Sequence, residues 1–236
     1  MNFLQILDKY RKISFSERDK GDRFERLMQT YLLTDPIYSF KHVWLWNEFP
    51  SKGQFGGKDT GIDIVALTHN GDYWAVQCKC YQEDAVIDKP AVDSFLATSG
   101  RQFADEHGKT IRFSHRLWLS TTSGKWSDNA EESIRNQVPP VSRTGFYDLF
   151  YAPVDWEKLD QGISGEISRI TDRSPKKHQI EAIEKTNIYF KNLDRGKLIM
   201  ACGTGKTYTS LKIAENETDS KGFVLFLVPS IALLGQ

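Results

Sequence analysis

Two strand-like segments separated by a short turn constrain this chain more than any other feature. Residues 62–67 (IDIVAL) and 73–81 (YWAVQCKCY) are rich in β-branched and aromatic residues, and HNGD at 69–72 is typical of a tight turn. Successive side chains of a strand point to opposite faces of a sheet. The register of this hairpin therefore decides which of its polar side chains lie together.

The length of the turn sets that register. A two-residue turn would place Asp63 opposite Cys78, with the neighbouring polar side chains on the other face. A three-residue turn over 69–71, with its glycine in the left-handed conformation, places Asp63 opposite Gln77 and on the same face as Lys79. We predict the three-residue turn or an equivalent bulge.

In that register the three side chains suit one kind of chemistry. Asp63 provides a charged oxygen and Gln77 a neutral carbonyl oxygen, and both are hard ligands of the kind that Mg²⁺ prefers. Lys79 provides a cation that can orient or deprotonate a water molecule and offset charge in a transition state. The hairpin therefore predicts metal-dependent hydrolysis of a phosphodiester.

The charge balance of the whole chain is even, with 31 basic and 31 acidic residues among 236. A nucleic-acid partner must therefore be met by local patches rather than by a global positive field. Two basic clusters are candidates, although such clusters are more often solvated faces. These clusters are Lys9, Arg11 and Lys12, and Arg173, Lys176 and Lys177.

The three cysteines are too few, and odd in number, for a secreted disulfide scaffold. No second pair at zinc-site spacing accompanies Cys78 and Cys80, so we expect these two to be buried apolar residues. The chain has no signal peptide and no apolar run of membrane-spanning length, and we expect a cytoplasmic protein without a membrane partner.

The order of apolar patterns along the chain predicts an α/β fold with a mixed sheet flanked by helices. Helices are expected at 3–10, 22–33 (with Asp22 as its N-cap), 90–107 and 128–137; strands at 42–46, 62–67, 73–81 and 116–122; and a strand or turn at 146–153. We place a first domain at 1–160, a linker at 161–174 and a second domain at 175–236.

The second domain contains a glycine loop within LIMACGTGKTYTS (198–210). Gly203 and Gly205, on either side of Thr204, free the backbone so that successive N–H groups can surround a phosphate. Lys206 would reach the β- and γ-phosphates, and Thr207 would hold Mg²⁺. A strand at 196–201 before the loop, a helix from its lysine and a strand at 222–228 are expected around it.

The first 160 residues resemble the Mrr-like branch of the PD-(D/E)xK nucleases. The resemblance is carried by GxD, a hairpin and QxK, by GDRFERLMQTYL at 21–32, and by LSTTSGKWSDNAEESI at 119–134. It implies a restriction-endonuclease-like fold, a Mg²⁺ site on Asp63 and Gln77, and Lys79 as the assisting cation. It also implies that Glu25 completes the metal site and that Asp59 is a second acid.

The second domain is similar to the start of the RecA-like lobe of superfamily 2 helicases and translocases. MACGTGKT matches their phosphate loop, although Met200 stands where the strict pattern has glycine. KKHQIEAI resembles the adenine-reading segment and implies this role for Gln179. The family's DExH stretch is not present, so we expect no ATP turnover by this chain alone. We therefore expect an N-terminal piece of a longer polypeptide, or a truncated product.

The combination resembles the N-terminal part of type ISP restriction-modification enzymes of prokaryotes. It implies double-stranded DNA as substrate, ATP-driven translocation before cleavage, and methyltransferase and target-recognition parts in the same longer chain. Two alternatives remain open. One is a helicase whose N-terminal nuclease-like fold only grips DNA, because glutamine in place of an acid leaves fewer charges on the metal. The other is a non-enzymatic remnant that binds DNA or a partner protein.

Overall fold

The computed structural model describes residues 1–38, 40–56, 61–105, 107–124, 126–170, 174–200, 204–218 and 221–227. The chain divides into two compact units, Met1–Ile170 and Thr171–Gln236. Residues 161–170, which lie in the segment predicted as a linker, are bound to the first unit: the Gly165 N–H donates to Thr34 Oγ1 over 2.9 Å. No helix in the described ranges is long and apolar enough to cross a membrane.

A mixed five-stranded sheet forms the centre of the first unit, as the sequence predicted. The strands of the unit, including two outside this sheet, are β1 (Phe40–Leu45), β2 (Ile64–Thr68), β3 (Tyr73–Lys79), β4 (Gln102–Ala104), β5 (Thr110–Arg112), β6 (His115–Ser120) and β7 (Val141–Thr144). The main sheet has the order β1-β2-β3-β6-β7, and β4 and β5 form a separate pair. The first three strands of the main sheet are antiparallel, whereas β6 and β7 continue it in parallel.

Helices cover both faces of this sheet. They are α1 (Phe3–Ile13), α2 (Glu17–Thr34), α3 (Lys89–Ser99), α4 (Asp128–Ile134), α5 (Phe146–Phe150) and α6 (Trp156–Asp160), and single 3-10 turns occur at Trp46–Glu48, Lys52–Phe55 and Glu166–Ser168. One core lies between the sheet and helices α1, α2, α5 and α6. A second core lies on the opposite face, against α3, α4 and the β4–β5 pair.

Helix α2 is longer than its apolar pattern predicted. It begins at Glu17 because Ser16 is the N-cap, and the Ser16 hydroxyl accepts the backbone N–H of Asp19 over 3.1 Å. The prediction that Asp22 caps the helix was therefore wrong, since Asp22 lies within the second turn. The apolar stripe from Phe24 to Leu32 is buried against the sheet, as its spacing indicated.

Two other predicted elements differ in the structure. The helix expected over 90–107 ends at Ser99, and Phe103 reaches the core from β4 instead. The segment expected as a strand or turn at 146–153 contains helix α5. Asp148 accepts the Gly145 N–H over 2.9 Å at the start of α5, and the i, i+3 pair Phe146 and Leu149 is buried.

The second unit contains α7 (Lys177–Phe190) and α8 (Lys206–Thr218). The strands expected at 196–201 and 222–228 are not formed in their described parts, 196–200 and 222–227. The two segments share no backbone ladder there, and without a ladder an extended segment is not a strand. Their apolar side chains, such as Ile199 and Phe223, remain exposed.

Candidate active site

The β2–β3 hairpin has the register that the three-residue turn predicts. Ile64 pairs with Val76 and Leu67 with Tyr73, so paired residue numbers sum to 140. The Thr68 N–H donates to the Asp72 carbonyl over 2.9 Å, which leaves residues 69–71 as the loop, and Gly71 has φ +89°. The prediction of the three-residue turn is confirmed, and Asp63 lies opposite Gln77.

Asp63 and Gln77 are in direct contact through their side chains. Asp63 Oδ2 accepts a hydrogen bond from Gln77 Nε2 and another, of 2.6 Å, from the backbone N–H of Cys78. The backbone continues the hairpin past β2, because the Asp63 N–H donates to the Val76 carbonyl over 2.9 Å. Both the carboxylate and the amide are therefore held in fixed orientations.

The other end of the Gln77 amide is the clearest chemical signal at this site. Gln77 is 1% exposed, and its Oε1 is buried without a hydrogen-bond partner among the described residues. A buried carbonyl oxygen without a partner is costly, and such an atom in a native protein calls for an explanation. A hard cation beside the Asp63 carboxylate would satisfy it, since Mg²⁺ takes carboxylate and amide oxygens together.

The Cys78 thiol lies on the face of β3 opposite to Gln77 and Lys79, and nearby charges shift its pKa. Burial raises its pKa most, the charges of Asp63 and Glu25 raise it further, and the charge of Lys79 acts in the opposite direction. One sulfur atom thus lies within electrostatic reach of all three predicted charged residues. Glu25 arrives from helix α2, which packs against β3.

Strand β6 and the residues after it hold the end of β3 that carries Lys79. Gln77 pairs in parallel with Trp118, and Lys79 pairs with Ser120. Beyond the strands, the Thr121 N–H donates to the Lys79 carbonyl over 3.0 Å, and Thr121 Oγ1 donates to the Tyr81 carbonyl over 2.6 Å. We call these two hydrogen bonds the Thr121 clamp. They were not predicted from the sequence, although the segment LSTT at 119–122 contains Thr121.

A second supporting residue, Gly61, lies two positions before Asp63. Its φ is +75°, and a Cβ at this position would lie 2.9 Å from Ser94 Oγ and 3.0 Å from the backbone nitrogen of Phe95 in α3. Only glycine combines that backbone conformation with such a close approach to a helix. The GxD spacing was the available signal for this role.

Not every predicted site residue lies in the described part of the chain. Asp59 lies outside the described residues. Within the described ranges, no group of three or more His, Cys, Asp or Glu side chains could hold a metal ion. The oxygens of Asp63 and Gln77 make up only part of a coordination shell, which suits Mg²⁺ better than it suits ions that need a complete protein cage. Mg²⁺ retains several waters and commonly takes substrate phosphate as a ligand.

The glycine loop of the second unit is described from Thr204 onward, and Gly203 lies outside the described residues. Gly205 has φ +80°, and α8 begins at the next residue, Lys206, as predicted. Lys206 Nζ donates to the Met200 carbonyl at 3.5 Å. Thr207 is exposed in the first turn of α8.

Gln179 is bound to this loop rather than directed away from it. Its Nε2 donates to the Thr204 carbonyl over 3.0 Å, and its Oε1 accepts the Lys176 N–H over 2.9 Å. The side chain is buried and fills the space that a Cβ on Gly205 would occupy. The first turn of α7 and the loop are thus joined within the second unit.

Comparisons with known families agree with both units. A family model described as a restriction endonuclease, Mrr_cat_2, matches residues 33–166, which is more than half of the chain. A model described as the res subunit of type III restriction enzymes, ResIII, matches residues 172–236. No curated protein matches the chain.

Among solved structures, the chain is similar to the ATP-dependent Type ISP restriction-modification enzyme LlaBIII bound to DNA, with 32% identity and a TM-score of 0.54. The match covers 97% of this chain but only 14% of that enzyme. The restriction endonuclease MspJI in complex with an oligonucleotide matches 67% of this chain and 34% of its own at 16% identity, with a TM-score of 0.36. The protein of unknown function AF1548 matches 84% of this chain and 97% of its own at 14% identity, with a TM-score of 0.35.

Proposed function

Because the chain belongs to the Mrr_cat_2 restriction endonuclease family and also carries a helicase-like segment, we propose that its first unit hydrolyses phosphodiester bonds of duplex DNA with Mg²⁺. One observation carries the metal dependence. The buried Oε1 of Gln77 has no hydrogen-bond partner among the described residues and belongs to an amide bonded to the Asp63 carboxylate. Ligation of a cation by both groups accounts for this arrangement.

Asp63, Gln77 and Glu25 are the proposed ligands. When bound there, Mg²⁺ acts as a Lewis acid on a phosphate oxygen and lowers the pKa of a bound water. The Cys78 N–H keeps the Asp63 carboxylate in place. That fixed orientation reduces the reorganisation needed as the reaction proceeds.

Lys79 is the proposed assisting cation. The β6 ladder and the Thr121 clamp hold its backbone, so its ammonium stays on the face that Asp63 and Gln77 share. There it orients the attacking water and offsets the charge that develops on the phosphate. The water oxygen bonds to phosphorus as the bond to the leaving oxygen breaks, and that oxygen takes up a proton.

A nicking assay on supercoiled plasmid tests this proposal. Wild type should nick with Mg²⁺ or Mn²⁺ and not with EDTA. Asp63→Asn and Lys79→Met should each lose about 10²-fold or more in rate, which is typical of lost transition-state electrostatics. Two control variants should retain wild-type rates. They are Asp72→Asn, at the exposed turn of the same hairpin, and Lys41→Met, whose side chain is exposed on β1.

Binding of Mn²⁺, followed by electron paramagnetic resonance, provides a readout that does not depend on cleavage. Asp63→Asn should weaken binding, whereas Asp72→Asn should not. Equal nicking by wild type and all four variants would overturn the proposal. If the protein binds DNA but does not nick it with any metal ion, this would instead support a nuclease-like fold that only binds DNA.

We also propose that the second unit binds ATP with Mg²⁺ through Gly203, Thr204, Gly205, Lys206 and Thr207, with Gln179 at the adenine. In a cytoplasmic polypeptide with a complete motor, a methyltransferase and a target-recognition part, this unit would drive translocation along duplex DNA. The described loop and helix start support nucleotide binding. Lys206→Ala should abolish DNA-dependent ATP hydrolysis by such a polypeptide, and an unchanged rate would contradict the assignment.

A further inference from the structure

An open pocket of about 500 Å³ lies where α1 ends and α2 begins. Arg11 from the last turn of α1, Lys20 from α2, and Gln82 from the chain just after β3 all contribute to its lining. The first turn of the 18-residue helix α2 also faces it, and helix N-termini attract anions. We call this the α1–α2 pocket, and no residue of the hairpin site lines it.

Lys20 is unusual among the described lysines because its side chain is only 11% exposed. Its ammonium contacts Glu17 over 2.6 Å, but the Glu17 side chain is 90% exposed. A salt bridge to such an exposed carboxylate is weak, and the carboxylate can turn into solvent without disturbing the helix. A buried cation therefore holds a partner that an incoming anion can replace.

A hydroxyl group in the same pocket also lacks a partner. The Oγ of Ser14, the residue that ends α1, is buried and makes no hydrogen bond within the described part of the chain. Ser14 lines the pocket together with Arg11 and Lys20. A hydroxyl donor beside two cations suits a phosphate, whose oxygens accept several charge-assisted hydrogen bonds.

The pocket adjoins the end of β3 that carries Lys79. Burial raises the pKa of the Cys80 thiol, and the charges of Lys20 and then Arg11 oppose this rise. Cys80 follows Lys79, the last residue of β3, directly. The Cys78 N–H in turn binds Asp63. Lys20 and Arg11 thus lie within electrostatic reach of the residue that follows Lys79.

We propose that the α1–α2 pocket binds a backbone phosphate of the duplex DNA that the first unit engages. Lys20, Arg11 and the Ser14 hydroxyl donate to this phosphate, and Glu17 leaves Lys20 as it binds. The inference rests on the proposed function only in that the first unit must engage DNA. It explains how a chain with no net charge can hold a polyanion through a local site.

The test is the affinity of the 236-residue chain for a labelled duplex oligonucleotide, measured by fluorescence anisotropy in EDTA across several NaCl concentrations. Lys20→Met keeps the aliphatic stem and should weaken binding about tenfold, with a salt slope smaller by about one. Arg11→Gln should likewise lower the affinity and reduce the salt slope. Lys12→Gln, the neighbouring exposed lysine outside the pocket, should leave both much closer to wild type.

Glu17→Gln separates a DNA site from a merely structural lysine. If Lys20 binds phosphate, removal of the competing carboxylate should raise affinity about threefold. If Lys20 only stabilises the fold, the loss of its partner should lower thermal stability and leave affinity unchanged or reduced. Circular dichroism confirms that each variant is folded, and Arg11→Gln keeps the proposal testable if Lys20→Met is not.

Inorganic phosphate, added at constant ionic strength, distinguishes the two sources of the anion. If the pocket holds a DNA phosphate, free phosphate should compete with the duplex for wild type, and less so for Lys20→Met. Free phosphate that binds in a Lys20-dependent manner without displacing the duplex would overturn the assignment to DNA. Equal affinities and slopes for Lys20→Met, Arg11→Gln and Lys12→Gln would also overturn it. Loss of nicking with normal duplex binding would count against the hairpin chemistry alone.

Discussion

The hairpin of the first unit and the phosphate loop of the second are both built from short motifs, yet they differ in what supports them. The hairpin lies in the middle of a five-stranded sheet with a core on each face. In the described part of the second unit, Ile183 alone is a buried apolar residue, and residues 196–200 and 223–227 form no strand. The comparison teaches that a motif becomes a rigid site only when neighbouring strands and cores fix its backbone.

Hydrogen exchange should show the largest difference between the two regions. Amides of β2, β3 and β6 are laddered and covered, so we expect them to exchange at least about 10³-fold more slowly than those of 196–200 and 223–227. Mass spectrometry of the exchanged 236-residue chain measures both sets in one experiment. Comparable rates in the two sets would remove the basis of the comparison.

Gln77→Glu tests whether the hairpin is held rigidly enough to force two charges together. The new carboxylate would face Asp63 in a buried position, and we expect a loss of about 3 kcal/mol in the free energy of unfolding without metal. Added Mg²⁺ should restore much of this stability because the cation neutralises the pair. Thermal unfolding with Mg²⁺ and with EDTA measures the effect.

The control for this substitution is Gln161→Glu, which adds the same charge at an exposed position of the first unit. It should change the unfolding temperature little in either condition. If Gln77→Glu were as stable as wild type in EDTA, the close pairing of residues 63 and 77 would be wrong.

Gly61→Ala tests how tightly α3 supports the chain that leads to Asp63. A side chain at φ +75° that also meets the backbone of α3 should cost about 2 kcal/mol and reduce nicking through displacement of Asp63. Gly53→Ala is the matched control, because a Cβ there meets nothing within 4 Å. Urea unfolding and plasmid nicking measure both effects, and equal behaviour of the two variants would contradict the support role.

The smallest effect that we expect is a pH dependence of the free energy of unfolding, which arises from the buried thiols. Burial raises the pKa of Cys78 and of Cys80, so the folded first unit favours the neutral thiols. Their contribution to stability is complete below the pKa of an exposed thiol, about 8.5, and is lost as pH rises through the folded-state values. Urea unfolding from neutral to alkaline pH should show this decline.

Cys78→Ala removes one of the two groups and should make that decline shallower. The same substitution at neutral pH reports only the small change in packing, so the two pH ranges separate titration from volume. A decline identical to that of wild type would mean that the thiol is not held neutral by the fold.

The features that could be predicted correctly from the sequence are local ones. The parity of strand side chains and the length of a glycine turn decided that Asp63 faces Gln77, and a glycine before a lysine decided where α8 starts. The apolar spacing predicted α1 and the buried stripe of α2 for the same reason. These features depend on interactions between residues close in the chain, whose geometry follows from backbone rules.

The remaining features could not be predicted because they depend on contacts between segments that are distant in the chain. Packing of α2 on β3 brings the charge of Glu25 within electrostatic reach of the Cys78 thiol, and burial of Phe146 and Leu149 selects a helix where the local pattern also allowed a strand. The Gln77 oxygen, which has no hydrogen-bond partner among the described residues, and the enclosed ammonium of Lys20 become buried only once the surrounding helices and strands exclude water. Burial is a property of the assembled fold, and no local pattern encodes it.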